Sequence, residues 1–387
     1  MCRGRRFRED SGAMTASADI DPRFWSGRSV LLTGHTGFKG AWLALWLQSL
    51  GARVTGLALR TPTEPSLYAL ARVGQGMAGE LRIDVRDGEA VREGLAGCRP
   101  EVVLHLAAQP MVRLSLREPA LTYAVNVMGT VNVLEAVRVA GESVRAVVVV
   151  TSDKCYANPA AYGGRGDGGG DVHRFVETDP LGGHDPYSSS KACAELVAAA
   201  YRESYFAAED GPNVASARAG NVIGGGDFGE DRLVPDVLRA HARRVPVRVR
   251  NPEAVRPWQH VLNPLSGYLT LAQLLCEPDG SAYARAFNFG PRARDARPVR
   301  EIVRRLNGLL EEPLAEEPDR GANPPEAMRL ELDSSAAERE LRWRARWDLD
   351  EGLMRVVDWH TACGRGEDMR GVSMAQIAAF FGANSDF

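Results

Sequence analysis

Cysteine is scarce and scattered in this chain. Only six occur among 387 residues (Cys2, Cys98, Cys155, Cys193, Cys276 and Cys363), and no two form a C-x-x-C pair. That excludes a disulfide framework and the spacing of a zinc cluster, and it points to reduced thiols in a cytoplasmic setting. The seven histidines contain no H-x-x-x-H pair, so no metal is expected. An excess of one charge is missing as well. Lys and Arg total 47 against 50 Asp and Glu, a formal charge of −3. Neither nucleic acid nor an anionic membrane would find a broad field to bind. No apolar run approaches the roughly 20 residues of a membrane helix. Met1 to Asp21 carries Arg3, Arg5, Arg6 and Arg8 but no apolar stretch, so it reads as a tail or an early start with Met14 as a second candidate, not as a secretory signal.

Glycine, by contrast, is abundant, with 40 residues. Such numbers signal either low complexity or many positions where backbone must take unusual angles or approach a ligand. Their placement separates the two. Six of the eight positions 163–170 are glycine, which predicts a flexible loop. Gly34, Gly37 and Gly40 instead lie between an apolar run and a helical stretch.

From Phe24 onward short apolar runs alternate with helical patterns. Ser29 to Thr33, Arg53 to Leu59, Glu80 to Val85, Glu101 to Leu106 and Ala146 to Thr151 read as strands. Ala41 to Leu50, Pro119 to Ala140 and Pro186 to Phe206 read as helices, and a further strand spans Val214 to Ala219. Strands apolar on both faces predict an α/β fold: a Rossmann doubly wound parallel sheet. The later chain, richer in Pro and Arg, predicts a smaller mixed α/β domain. The expected division is a tail at 1–23, a dinucleotide-binding domain at 24–215, a second domain at 216–363 with segments returning to the first, and a tail at 364–387.

Three groups of residues carry chemistry. Gly34, Gly37 and Gly40 form a G-x-x-G-x-x-G turn between strand and helix, which lets backbone approach a pyrophosphate at the helix N-terminus. An acidic residue commonly closes the second strand of an NAD-binding unit, but Leu59-Arg60-Thr61 stands there. Arg60 could hold a 2′-phosphate, stack on adenine or simply be solvated. Asp84, read as closing the third strand, is placed to accept from the adenine amino group. Tyr187 and Lys191 form Y-x-x-x-K on a helix, one turn apart, so the ammonium is expected to favour the phenolate and make Tyr187 a base toward a substrate hydroxyl. Thr151-Ser152-Asp153-Lys154-Cys155-Tyr156 ends the fifth strand, where open α/β sheets bind ligands, with a hydroxyl, a carboxylate and an amine in sequence.

With these motifs the chain resembles the extended short-chain dehydrogenases/reductases, and among them the nucleotide-sugar 4,6-dehydratases, in particular those acting on CDP-glucose. The resemblance rests on TGHTGFKGAWLALWL (33–47), LAAQPMVRLS (106–115), NVMGTVN (126–132), TSDKCY (151–156), DPYSSSKACAEL (185–196), RAGNVIGGGD (218–227), RPWQHVLNPLSGY (256–268) and NFGP (288–291). It implies loss of water from the hexose of CDP-glucose, with NAD as an internal hydride shuttle. Tyr187 would take the 4-hydroxyl proton and Ser152 would bond the 4-oxygen. Asp153 would protonate the departing 6-hydroxyl. Relatives acting on dTDP-sugars have Glu where Lys154 stands; Lys154 would either remove the C5 proton or stabilise the enolate. Lys191 would also hold the nicotinamide ribose. By the same resemblance Gly34, Gly37, Phe38, Gly40, Asp84, Val85, Leu106, Ala107, Ala108, Asn126 and Thr151 fall on NAD positions. Gln109, Asn221, Arg232, Arg256 and Asn288 fall on nucleotide-sugar positions, where arginines suit a diphosphate. It further implies a homodimer or homotetramer, relatives pairing through the Tyr187–Lys191 helix and its neighbour.

Overall fold

The computed structural model describes residues 20–158, 173–208, 211–319, 321 and 327–382. The glycine-rich loop 163–170 and most of the 1–23 tail lie outside the described residues. Seven strands form the central sheet: β1 (Ser29–Thr33), β2 (Arg53–Leu57), β3 (Gly79–Leu81), β4 (Val102–His105), β5 (Ala146–Val150), β6 (Asn213–Arg218) and β11 (Ala286–Asn288). Their order is 3-2-1-4-5-6-11, and every pairing is parallel. The inner strands β1, β4, β5 and β6 are Val-, Leu- or Ala-rich runs covered on both faces, whereas β3 at the edge is part-exposed. Val30 and Leu32 enter one core with the helices Phe38–Ser49, Leu262–Leu275 and Met369–Gly382; Leu31 enters another with Gly88–Cys98, Gly129–Ala140 and Pro186–Tyr205. The chain reverses its winding between β1 and β4, which opens a crevice at their C-terminal ends.

Three two-stranded sheets build the smaller lobe: β7 (Val222–Ile223) with β10 (Gln259–His260), β8 (Val247–Val249) with β13 (Glu316–Pro318), and β9 (Val255–Pro257) with β12 (Ala296–Pro298). Its core joins Val237, Val247, Ile302, Leu306 and Leu353.

The structure departs from the expected division in three places. The boundary at 215/216 cuts through β6, because the central sheet continues to Arg218 and regains β11 after the lobe has begun. The segment expected as a tail at 364–387 contains the helix Met369–Gly382, which is part of the core: Phe380 packs edge-on against Trp46 and Trp347, and Trp359 donates to Ser373 Oγ at 3.0 Å. Ile20 is buried as well, so the ordered core starts before residue 24.

The apolar stretch 119–140 forms one helical rod interrupted by a π turn at Ala124–Met128. The extra residue rotates the face, so Met128 is exposed and Asn126 is buried. This rod is long and apolar enough to cross a membrane by composition, yet it lies between the Gly88–Cys98 and Pro186–Tyr205 helices as part of the globular core.

Candidate active site

The crevice is built from backbone first. Gly34 has φ +76°, and a Cβ there would lie 2.8 Å from the Ala107 nitrogen; a Cβ on Gly40 would lie 2.1 Å from the Gly34 oxygen. Only glycine allows the β1 turn to press this closely on the loop after β4. Leu106 and Ala107 each donate a backbone N–H to Thr33 Oγ1 at 3.1 Å, and Thr33 hydrogen-bonds His105 Nδ1 at 2.7 Å. The helix Phe38–Ser49 begins here, its N-cap Gly37 offering no side chain to cap the first amides. A glycine cradle at an uncapped helix N-terminus fits a dinucleotide pyrophosphate. Beyond β2, Arg60 is exposed.

Asp84 departs from expectation. The third strand ends at Leu81, where its pairing with β2 runs out, and Asp84 lies in the turn beyond. Its carboxylate accepts from Arg86 Nε at 2.9 Å and Nη2 at 2.6 Å, and that bond holds its pKa low. Val85 is buried against Gly129, and its carbonyl accepts from Asn132. Phe38 is half-buried, its ring against Gly224, and Ala108 is half-buried in the loop after β4.

At the end of β5 a 3-10 turn, Asp153–Cys155, presents the acid/base set. Ser152 donates to Asp153 Oδ1 at 3.0 Å and accepts from the Lys154 N–H. Asp153 is buried, and its Oδ2 has no hydrogen-bond partner. Burial pushes its carboxyl up, opposed by Lys154, Ser152, Arg256 and Lys39. Tyr187 and Lys191 lie on the helix Pro186–Tyr205, whose first turn is capped by Asp185. Burial pushes the Tyr187 phenol up to about 12, with the Ser152 hydroxyl opposing. Burial pulls the Lys191 ammonium down to about 8, and it donates to the Val150 carbonyl at 3.2 Å. In the protein alone, desolvation therefore outweighs the help the lysine was expected to give the phenol.

The structure brings Ser152, Asp153, Tyr187, Lys191, Arg232 and Arg256 close together around Lys39, within electrostatic or hydrogen-bond reach of a neighbour in the group. Arg232 faces Tyr187 while donating to both oxygens of Asp227, at 2.8 and 2.9 Å. Asn221 is half-buried, its carbonyl accepting from the Gln259 N–H. Two residues expected at the nucleotide-sugar have their side chains turned inward. Asn288 is fully buried; its Oδ1 accepts from Tyr156 Oη at 2.7 Å, and its Nδ2 donates to the carbonyls of Phe175 and Asp333. Gln109 spends its side chain on Met111 and Thr122. Both side chains are tied into internal hydrogen bonds. Asn126, at the π turn, is likewise engaged: it accepts from the Gln109 N–H and donates to Ser190, tying the β4 loop to the Tyr187 helix. Thr151 turns its hydroxyl to Glu195, away from the crevice.

One pocket residue escaped sequence reasoning although it lies inside the glycine motif. Lys39 reaches Tyr268 Oη at 3.5 Å and faces Lys191, Asp153 and Arg232; burial, then Lys191, pulls its ammonium down to about 8. A cation inside a phosphate-binding turn was the available signal.

Residues 31–356 match the family described as GDP-mannose 4,6 dehydratase. The chain is 47% identical over 370 residues to the CDP-glucose 4,6-dehydratase of Salmonella typhimurium, covering 95% of this chain and 99% of that protein. Among solved structures, Thermus thermophilus UDP-glucose 4-epimerase in complex with NAD superposes with a TM-score of 0.70 at 26% identity, over 86% of this chain and 98% of that one. The dTDP-glucose 4,6-dehydratase DesIV of Streptomyces venezuelae, with NAD and TYD bound, shares the fold at a TM-score of 0.71 and 24% identity, over 88% of this chain and 99% of that one. With its 3-2-1-4-5-6 sheet, its glycine crevice and its Tyr187–Lys191 pair, the chain belongs to the GDP-mannose 4,6-dehydratase family of extended short-chain dehydrogenases/reductases.

Proposed function

We propose that the protein is a CDP-glucose 4,6-dehydratase, converting CDP-D-glucose to CDP-4-keto-6-deoxy-D-glucose and water. The observation that carries this reading is the buried Asp153, with one oxygen unpartnered, beside the Tyr187–Lys191 pair. An epimerase needs no acid for a 6-hydroxyl, whereas a dehydratase does. The CDP-sugar assignment rests on Lys154 after Asp153 and on the 47% identity to the Salmonella protein of that name.

NAD fits the crevice through the glycine cradle at Gly34, Gly37 and Gly40, with Leu106, Ala107 and Ala108 across from it. The chemistry it supplies when bound is acceptance of one hydride from C4 and its return at C6. Tyr187 takes the 4-hydroxyl proton, leaving a C4 ketone that acidifies the C5 hydrogen. Ser152 steadies the 4-oxygen. Asp153, its carboxyl pushed up by burial, gives its proton to the 6-oxygen, which leaves as water. As the C5 proton passes to solvent, from which C5 is reprotonated when hydride returns to C6, Lys154, next in the chain, stabilises the enolate. Arg232 and Arg256, with Asn221, hold the diphosphate.

The long apolar residues left exposed on the Tyr187–Lys191 helix and on the 119–140 rod, among them Leu196, Met128 and Tyr123, support a homodimer across these two helices. The five cysteines among the described residues are free, in keeping with a cytoplasmic enzyme.

Incubation with CDP-glucose should yield a 4-keto-6-deoxy sugar, read by its absorbance in alkali, with no net reduced cofactor. Inversion at C4 without loss of water would make the protein an epimerase. Preferential turnover of a dTDP-, GDP- or UDP-sugar in parallel assays would reassign the nucleotide.

A further inference from the structure

Behind the pocket stands a buried carboxylate that the mechanism above does not use. Glu195 lies one turn beyond Lys191 on the Pro186–Tyr205 helix, and its side chain is only 3% exposed. Both its oxygens are engaged. Oε1 accepts from Thr151, the last residue before Ser152 and Asp153. Oε2 accepts from Ser216 Oγ at 2.6 Å and from Arg218 Nη2 at 2.8 Å, both on β6. Arg218 continues the network to Tyr156 Oη at 2.8 Å, on the far side of the acid/base turn. One side chain of the catalytic helix thus grips the C-terminal ends of two neighbouring strands.

We propose that Glu195 is a positioning residue for the reaction, fixing the catalytic helix against the strand end that carries Ser152 and Asp153 and holding Lys191 in its charged form. Two features of the geometry support this. The helix bearing Tyr187 and the turn bearing Asp153 face each other, and the Thr151–Glu195–Ser216 contacts join the Lys191 bond to the Val150 carbonyl in tying the helix to the ends of β5 and β6. An i, i+4 spacing also places the carboxylate on the same helix face as Lys191. The groups facing Lys191 are Glu195 on its own helix, Cys155 on the acid/base turn, Lys39 at the glycine loop and His105 at the end of β4. Glu195 heads those that oppose the effect of burial, whereas Lys39 is a like charge.

The test rests on the dehydratase reading in one arm and is independent of it in the other. Turnover of CDP-glucose and, separately, NAD affinity by quenching of tryptophan fluorescence are followed from pH 6 to 10. Wild-type protein should lose both as Lys191 gives up its proton near pH 8. Glu195→Gln should move that alkaline limb down by about one pH unit. Because this variant leaves Arg218 buried beside a neutral amide, Glu195→Gln with Arg218→Met, which removes both charges, serves as the second variant and should show the same shift. Thr151→Val keeps the carboxylate and should lower kcat about tenfold with the limb in place. A limb that stays put in a charge-removing variant that melts cooperatively, or a Thr151→Val enzyme with unaltered kcat, overturns the proposal. If no nucleotide-sugar is turned over, the dehydratase reading fails, and the NAD-affinity arm alone decides the role of Glu195.

Discussion

Asp153 shows how burial makes a carboxyl useful. Water would leave it ionised at neutral pH; enclosed beside Ser152, with Oδ2 unbonded, it is pushed toward the protonated form that a departing hydroxyl requires. Asp153→Asn should therefore keep oxidation at C4 but slow elimination by about 100-fold or more, so that reduced cofactor accumulates on the enzyme and is seen by its absorbance. An unchanged steady-state rate would show that another group is the acid. Lys154 is separable by Lys154→Arg. A guanidinium stabilises an enolate but does not take a proton at these pH values, so activity within about tenfold of wild type is expected, and loss as complete as in Lys154→Met would make the lysine the base.

At the scale of elements, two pieces are decisive. The turn into the helix Phe38–Ser49 has no room for a side chain: Gly40→Ala would put a methyl group 2.1 Å from the Gly34 oxygen. That variant should fold yet lose measurable NAD binding in a fluorescence titration, because the cradle must open to admit the methyl. The helix Met369–Gly382 acts on stability instead. Phe380 is fully buried between Trp46 and Trp347, and Phe380→Ala should cost about 3 to 5 kcal/mol, read as a lowered denaturant midpoint. The Ala124–Met128 π turn belongs to this scale too, since its extra residue is what aims Asn126 at Gln109 and Ser190.

For the whole molecule, stability should depend on acid through three enclosed histidines. Burial pulls His105 and His260 down to about 3 and His360 to about 4, from an ordinary value of 6.5. All three stay neutral in the folded state, so below pH 6.5 the unfolded chain binds protons first. Their contribution is full above pH 6.5 and is lost as pH falls toward the folded values. Urea unfolding at pH 7.5 and 5.5 should differ by about 1 kcal/mol for each, in the direction of lower stability in acid. Assembly is tested at the same scale: Leu196→Glu, on a side chain 58% exposed, should convert the expected dimer to monomer in light scattering.

The sequence by itself determined the sheet and the chemistry that is local in the chain. Two-sided apolar runs name β1, β2, β4, β5 and β6, and the glycine spacing, Tyr187–Lys191 and Ser152–Asp153–Lys154 are each a few residues long, so their meaning survives without long-range contacts. The short strand β11, only Ala286–Asn288, carries too little pattern to be recognised outside the sheet that completes it. Only tertiary structure decided how polar side chains are spent. Asn288, Gln109 and Asp84 read as ligand contacts in the sequence, and only the packed chain shows the protein partners that each of them also holds: Tyr156, Thr122 and Arg86. Lys39 and Glu195 show the converse. Each matters through charges far away in the chain, Asp153 for one and Arg218 for the other, and no window of sequence contains both members of such a pair. Hydrogen-bond capacity and desolvation belong to the packed molecule, and they settle which of the recognisable residues remain free to do chemistry.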